Sequence, residues 1–215
     1  MLRISTDLFW ATLSTIELSV LCIVLSSFLS LIGGLALLSP NRYLRAFVRV
    51  YIEIIRGTSL VVQLFWLYFV LPEFGIILDG FTVGVIGLSI NGGAYGADVF
   101  RAAFQAVPKG QSEAAYALSM PRRMTIFTIL APQALVRLIP PWANAMIDML
   151  KGSSIFSMIG IYELTFAGTQ LNASLLQPFK IFLIVAAIYL VLSQVIARSM
   201  FALERATRNS LGLPR

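Results

Sequence analysis

Long apolar stretches separated by short polar ones dominate the chain. A membrane-crossing helix needs roughly 20 apolar residues. Five stretches reach that length, near residues 8–38, 59–78, 81–100, 138–161 and 179–201. The first is interrupted by little beyond Glu17 and hydroxyl side chains, and its length implies tilt or a projecting end. Pro72 and Glu73 mark the outer part of the second, and Asp148 and Lys151 are embedded in the fourth. The pattern predicts an all-α integral membrane protein of about five transmembrane helices.

The polar connections set an orientation. Arg42, Arg45, Arg49 and Arg56 follow the first stretch. Arg101, Lys109, Arg122, Arg123 and Arg137 lie between the third and fourth, and Arg198, Arg205, Arg208 and Arg215 close the chain. These are 13 of the 16 Lys and Arg residues. The alternate connections hold Glu73, Asp79, Glu163 and Lys180. The positive-inside rule puts the basic side in the cytoplasm, with the N-terminus out and the C-terminus in.

Composition agrees with the pattern. Of 215 residues, 58% are hydrophobic and 12% charged, about half the charge of a soluble domain. The mean hydropathy is +0.86. The net charge of +6 is accounted for by the topological bias, with no nucleic-acid motif or basic helix face beside it. Cys22, the single cysteine, reads as a small hydrophobe inside an apolar run. The chain has no histidine, which excludes a His-based triad and His-ligated zinc; no metal site is expected. The N-terminal run is about 30 residues long and ends in a basic segment, the mark of a spanning helix and not of a cleaved leader.

The largest polar region is residues 101–137. Pro108 and Gly110 break the chain, and a run rich in Ala, Leu and Met follows up to Pro121. Those residues favour helix. Ser112 is the expected N-cap, with Glu113 in the first turn. A second helical run is expected over residues 124–132. A short helix between breakers is thus presented on the cytoplasmic side.

This region carries the most specific motif: Glu113-Ala114-Ala115, then Ser119, then Ile129, Pro132, Gln133 and Ala134. It resembles the cytoplasmic signature of the permease subunits of binding-protein-dependent ABC importers. Ser119 replaces the family's usual glycine, and Ala131 its usual leucine. Serine is small enough to keep the close backbone approach expected there. The stretches RGTSLVVQLFW (residues 56–66), AYGADVFRAAFQAVPKGQSEAA (94–115), PQALVRLIPPWAN (132–144) and KGSSIFSMIGIYEL (151–164) narrow the likeness to the polar amino-acid permeases. The resemblance spans about residues 15–205 and implies one ABC importer transmembrane domain over residues 1–215. It implies a bacterial inner-membrane location and the cytoplasmic helix as the coupling element, with Gln111, Glu113, Ala114, Ala115, Ser119 and Arg122 facing an ATPase. The other reading of that helix is an amphipathic segment lying on the membrane.

The chain has no G-x-x-x-x-G-K-[ST] phosphate loop, so it is not expected to be an enzyme or to bind a cofactor. ATP and magnesium are expected on a partner. The implied partners are a dimer of ATP-binding cassette subunits, a second permease subunit in a homo- or heterodimer, an extracytoplasmic solute-binding protein, lipid, and an amino-acid-like substrate; nucleic acid is not among them.

Polar residues within or at the ends of the third and fourth stretches are the candidate substrate pathway: Asn91, Tyr95, Asp98, Asn144, Asp148, Lys151, Ser153, Ser154 and Glu163. A charge at mid-bilayer costs on the order of 3 kcal/mol and so is paired or faces a cavity. A zwitterion needs an acceptor for its ammonium and donors for its carboxylate. Asn91 and Tyr95 are spaced to share a helix face, and Asp148 and Lys151 to pair. The same residues also admit a purely structural reading. Gly152 stands where the family carries an acidic residue. Gly92 and Gly96, with Gly93 between them, suit either close helix packing or flexibility beside a gate. Two other function classes are an ion-coupled amino-acid carrier, against which the lack of an internal repeat argues, and an intramembrane enzyme, against which the lack of histidine and paired catalytic carboxylates argues.

Overall fold

The computed structural model describes residues 2–211, with side chains from Thr6 onward. Every regular element among them is helical. The helices are α1 (Leu2–Leu38), α2 (Arg42–Gly57), α3 (Leu60–Phe65), α4 (Gly80–Gln105), α5 (Lys109–Ala117), α6 (Arg122–Met124), α7 (Ala131–Gly152), α8 (Leu164–Leu175) and α9 (Pro178–Ser210). π-Helical Trp66–Val70 and a 3-10 turn at Leu71–Phe74 extend α3. A π segment at Thr125–Leu130 joins α6 to α7, and a 3-10 stretch at Ser153–Ile159 extends α7.

Three helical units are long and apolar enough to cross a membrane: Thr6–Leu38, Arg122–Ile159 and Pro178–Ser210. A fourth is available if Arg42–Gly57 and Leu60–Phe74, bent by 97° at their junction, form one broken span. The second stretch, expected over about residues 59–78, is helical over Leu60–Phe74. Its helix stops at Phe74, where Gly75 turns left-handed (φ +80) after Pro72. The basic stretch after α1 is a helix and not a plain connection. Asn41 caps it by accepting from the N–H groups of Tyr43 and Leu44. The helical unit that holds the fourth stretch starts at Arg122, well before residue 138, and helix continues through Pro140 and Pro141. Neighbouring helices make such prolines tolerable in a bilayer.

The core is built on α1 and α4, which lie parallel. Cys22 Sγ approaches the Val85 carbonyl (4.0 Å), and Ser30 Oγ donates to the Gly93 carbonyl (3.3 Å), both at a sequence offset of 63. The close approach comes from small residues. A Cβ on Gly93 would meet Leu29 at 2.7 Å, and one on Gly33 would meet Ala97 at 2.8 Å. Gly92 and Gly96 also sit at packed contacts, where an added Cβ would meet Ser26 Oγ at 2.7 Å and the Ser30 and Trp142 side chains respectively. Other hydroxyls on α1 bond back to its own carbonyls, as Thr15 does to Ala11 (2.9 Å) and Ser27 to Ile23 (2.6 Å), whereas the buried Ser19 and Ser26 hydroxyls have no hydrogen-bond partner among the described residues. Leu18, Leu64, Val83, Leu88, Met149 and Phe156 close the centre, where α1, α3, α4 and α7 meet.

Asp79 starts α4, accepting from the Thr82 hydroxyl (2.6 Å) and the Thr82 N–H (3.1 Å). These bonds hold its carboxyl below the usual carboxylate range. A depressed carboxyl stabilises above its unfolded titration point, so the cap weakens as pH falls through the lower, folded value.

Candidate functional site

Asn91, Tyr95 and Asp98 recur at helical spacing and line one face of α4. Asp98 accepts from two arginines, Arg56 at the end of α2 and Arg101 one turn on (3.1 Å). The Arg56 guanidinium also lies over the Tyr95 ring, 4.8 Å from its centre. Gln63 of α3 donates to the Ile55 carbonyl (2.7 Å) and the Thr58 hydroxyl (2.6 Å). It thus satisfies a carbonyl that the end of α2 leaves without a helical partner. Its amide oxygen accepts from Asn91 (3.2 Å), so the break between α2 and α3 is tied to α4.

Across from this wall, α7 contributes Asn144 and Asp148. Together with Arg56, Asn91, Tyr95 and Asp98 they line a cavity of about 500 Å³. Asn144 and Asp148 also border a second, wider space of about 970 Å³ between α7 and α9, which Lys151 and Ser154 face. Asp148 and Lys151 form no ion pair among the described residues. Both are exposed and border the open space.

Two candidates are not on either lining. Ser153 is fully buried and donates to the Leu150 carbonyl (2.7 Å). Glu163 is fully buried and caps α8, accepting from the N–H groups of Thr165 (2.8 Å) and Phe166 (2.7 Å) and from the Tyr189 hydroxyl (2.9 Å). Its polar capacity is spent inside the fold. Conversely, spacing along the chain missed Arg56 as a lining residue and Gln63 as the side chain that ties α2 to α4. Both stand in the quoted stretch RGTSLVVQLFW, where Arg56 counted only as a topological charge.

The helix α5 begins at Lys109, with Pro108 in the N-cap position. Ser112 is therefore not the cap; it lies inside the helix and donates to the Lys109 carbonyl (2.7 Å). The helix packs against the π segment Thr125–Leu130, and Gln133 donates to Gln111 (3.2 Å). Gln111, Glu113, Ala114 and Arg122 are exposed, whereas Ala115 is buried against the chain itself. Tyr116 and Leu118, neither singled out by the motif, are 86% and 74% exposed.

Ser119 closes α5 in the left-handed region, φ +54. Its N–H donates to the Tyr116 carbonyl (2.9 Å), and that of Met120 to Ala115 (3.0 Å), the paired bonds of a Schellman cap. The left-handed backbone at this position is one that glycine adopts without strain. Substituting Ser119→Gly is expected to raise stability by about 0.5–1 kcal/mol, read as a higher melting temperature in detergent.

Residues 11–209 match the family described as binding-protein-dependent transport system inner membrane component. The chain is 37% identical to the L-cystine transport system permease protein TcyB of Bacillus subtilis (strain 168), over 92% of this chain and 87% of that one. It is also 37% identical to the glutamine transport system permease protein GlnP of Escherichia coli (strain K12), over 83% and 86%. A crystal structure of an amino acid ABC transporter with histidines matches the fold with a TM-score of 0.90, at 34% identity over 96% of each chain. An inward-facing MetNI methionine ABC transporter matches with a TM-score of 0.80 at 18% identity, over 94% of this chain and 96% of that one, a likeness of fold alone. Agreement over nearly the whole length leads to one conclusion: the chain belongs to the binding-protein-dependent transport system inner membrane components, the permease subunits of ABC importers.

Proposed function

We propose that this permease moves amino acids or related small zwitterions along the polar cavity between α2, α4 and α7. The observation that carries the reading is the lining itself. Arg56, Asn91, Tyr95, Asp98, Asn144 and Asp148 bring cationic, amide and carboxylate groups to one space of about 500 Å³. A zwitterion needs both kinds of partner at once. Asp98 is already bridged by two arginines, which leaves Asp148 as the free acceptor for an ammonium. The relatives named for cystine and glutamine transport support the substrate class. Membership of a binding-protein-dependent family disfavours an ion-coupled carrier.

In the same reading the chain crosses the membrane five times, N-terminus out and C-terminus in, and pairs with a second permease subunit. A solute-binding protein delivers substrate outside. ATP and magnesium are held by ATPase subunits, into which α5 inserts with Tyr116 and Leu118 as its apolar anchors. Rigid movement of that helix transmits the ATPase cycle to the cavity wall.

The test is ATPase stimulation and uptake in the reconstituted complex, with its binding protein and a panel of amino acids. Asp148→Asn is expected to lower substrate-stimulated uptake about tenfold or more, the loss of one charge-assisted hydrogen bond, with basal ATP hydrolysis retained. Y116A/L118A is expected to lose ATPase subunits on purification. If ATPase subunits bind and no amino acid stimulates, the substrate class is wrong and the permease role stands.

A further inference from the structure

The amphipathic helix α2 is not used by the transport reading beyond Arg56. Its azimuth is fixed by Ile52, which is buried against Leu37, Ala94 and Ala97. Arg42, Arg45 and Arg49 then fall on one face at spacings of three and four, and all are exposed. Tyr43, Phe47, Val50 and Ile54 fall on a roughly opposite face, and Tyr43 and Phe47 are 71% and 74% exposed. Among the described residues, none of these three arginines pairs with a carboxylate. Arg42 bonds the Tyr43 hydroxyl (2.8 Å), and Arg45 the Ser39 carbonyl (3.3 Å).

The helix also turns 97° away from Leu60–Phe74, which runs beside α4. An apolar aromatic face and a cationic face on one short helix, set across the direction of its neighbour, is the form of a segment lying in the headgroup region. Arg49 further borders a notch of about 200 Å³ with Glu53, Arg56, Asp98 and Arg101. Of the carboxylates there, Asp98 is already bridged by Arg56 and Arg101.

We propose that α2 is a docking surface for anionic phospholipid, with Arg42, Arg45 and Arg49 on headgroup phosphates and Tyr43, Phe47 and Ile54 among the acyl chains. Charge complementarity selects lipid over a second protein chain as the occupant. Three unneutralised guanidiniums suit a field of phosphates, and each basic group near an anionic surface favours binding about fivefold. The inference needs only that the chain lies in a membrane, and is independent of the substrate.

The complete transporter, carrying Phe47→Trp, is placed in nanodiscs of phosphatidylcholine with one quarter phosphatidylglycerol. Either lipid is brominated in turn, and the signal of the unsubstituted complex is subtracted. Brominated phosphatidylglycerol is expected to quench the new tryptophan several-fold more per lipid than brominated phosphatidylcholine. R42Q/R45Q/R49Q should bring that ratio towards one. Salt at about 0.5 M, where screening shortens to about 4 Å, should do so without any arginine substitution. Equal quenching by the two lipids at low salt would overturn the headgroup preference. Absence of quenching by either would show the face covered by protein and overturn the proposal whole.

Discussion

Glu163→Ala is expected to destabilise the folded permease by about 3–5 kcal/mol. The side chain is fully buried and accepts three hydrogen bonds, from Thr165 N–H, Phe166 N–H and the Tyr189 hydroxyl. Alanine leaves two backbone donors at the start of α8 without a side-chain partner. Each buried donor left unmet costs about 1–3 kcal/mol, so two together reach the expected range. Tyr189 keeps a neighbour in the Thr165 hydroxyl (3.3 Å), which limits the loss on that side. The measurement is the melting temperature in detergent together with the amount of subunit in the membrane. Glu163→Gln, which retains one accepting oxygen, should lose roughly half as much. A residue touching substrate would behave otherwise: Glu163→Gln would fold with unchanged stability and lose uptake.

Gly96→Val is expected to abolish the native packing of α1 on α4. Even a single Cβ at position 96 would collide with the Ser30 side chain and with the Trp142 ring. Trp142 belongs to α7, so the clash spreads to a third helix. Overpacking a well-filled interior costs about 1–3 kcal/mol where side chains can shift, and more where they cannot. A branched side chain between three helices has nowhere to go, so loss of subunit from the membrane and of ATPase association is the expected readout. Gly57, at the end of α2, whose added Cβ would meet nothing within 4 Å, provides the control: Gly57→Ala should assemble normally. Normal assembly of Gly96→Val would show that the glycine stripe is not an interface.

The first and last apolar stretches were legible because length and hydropathy alone define them; residues 8–38 and 179–201 lie within α1 and α9. α2 was not legible as a helix, since four arginines in 15 positions read first as a topological signal. α8 was hidden for another reason. It is only 12 residues long, and its start is fixed by a cap whose glutamate looks, on a hydropathy scale, like an intramembrane charge. Pairings over long sequence separations are beyond any local spacing rule. Arg56 meets Asp98 across 42 residues and Gln63 meets Asn91 across 28, whereas the adjacent Asp148 and Lys151, at ideal helical spacing, do not pair. The signature around Glu113 located α5 within a few residues. The left-handed backbone at Ser119 was not legible in it.

The glycines of α4 have a consequence for how the protein is made. Six of the 26 residues of this helix are glycine, and it is absent from the helices apolar enough to cross a membrane on their own. Glycine is among the weakest helix formers, about 1 kcal/mol per residue behind alanine. Yet α4 lies parallel to α1 along the stretch from Val85 to Phe100, and α1 leaves the ribosome first. The finished α1 offers the newcomer a groove of serines and small side chains in place of lipid. The features that make α4 a poor solitary helix make it a good neighbour, so biogenesis has a direction: α1 is the template, and α4 enters the bilayer as its client.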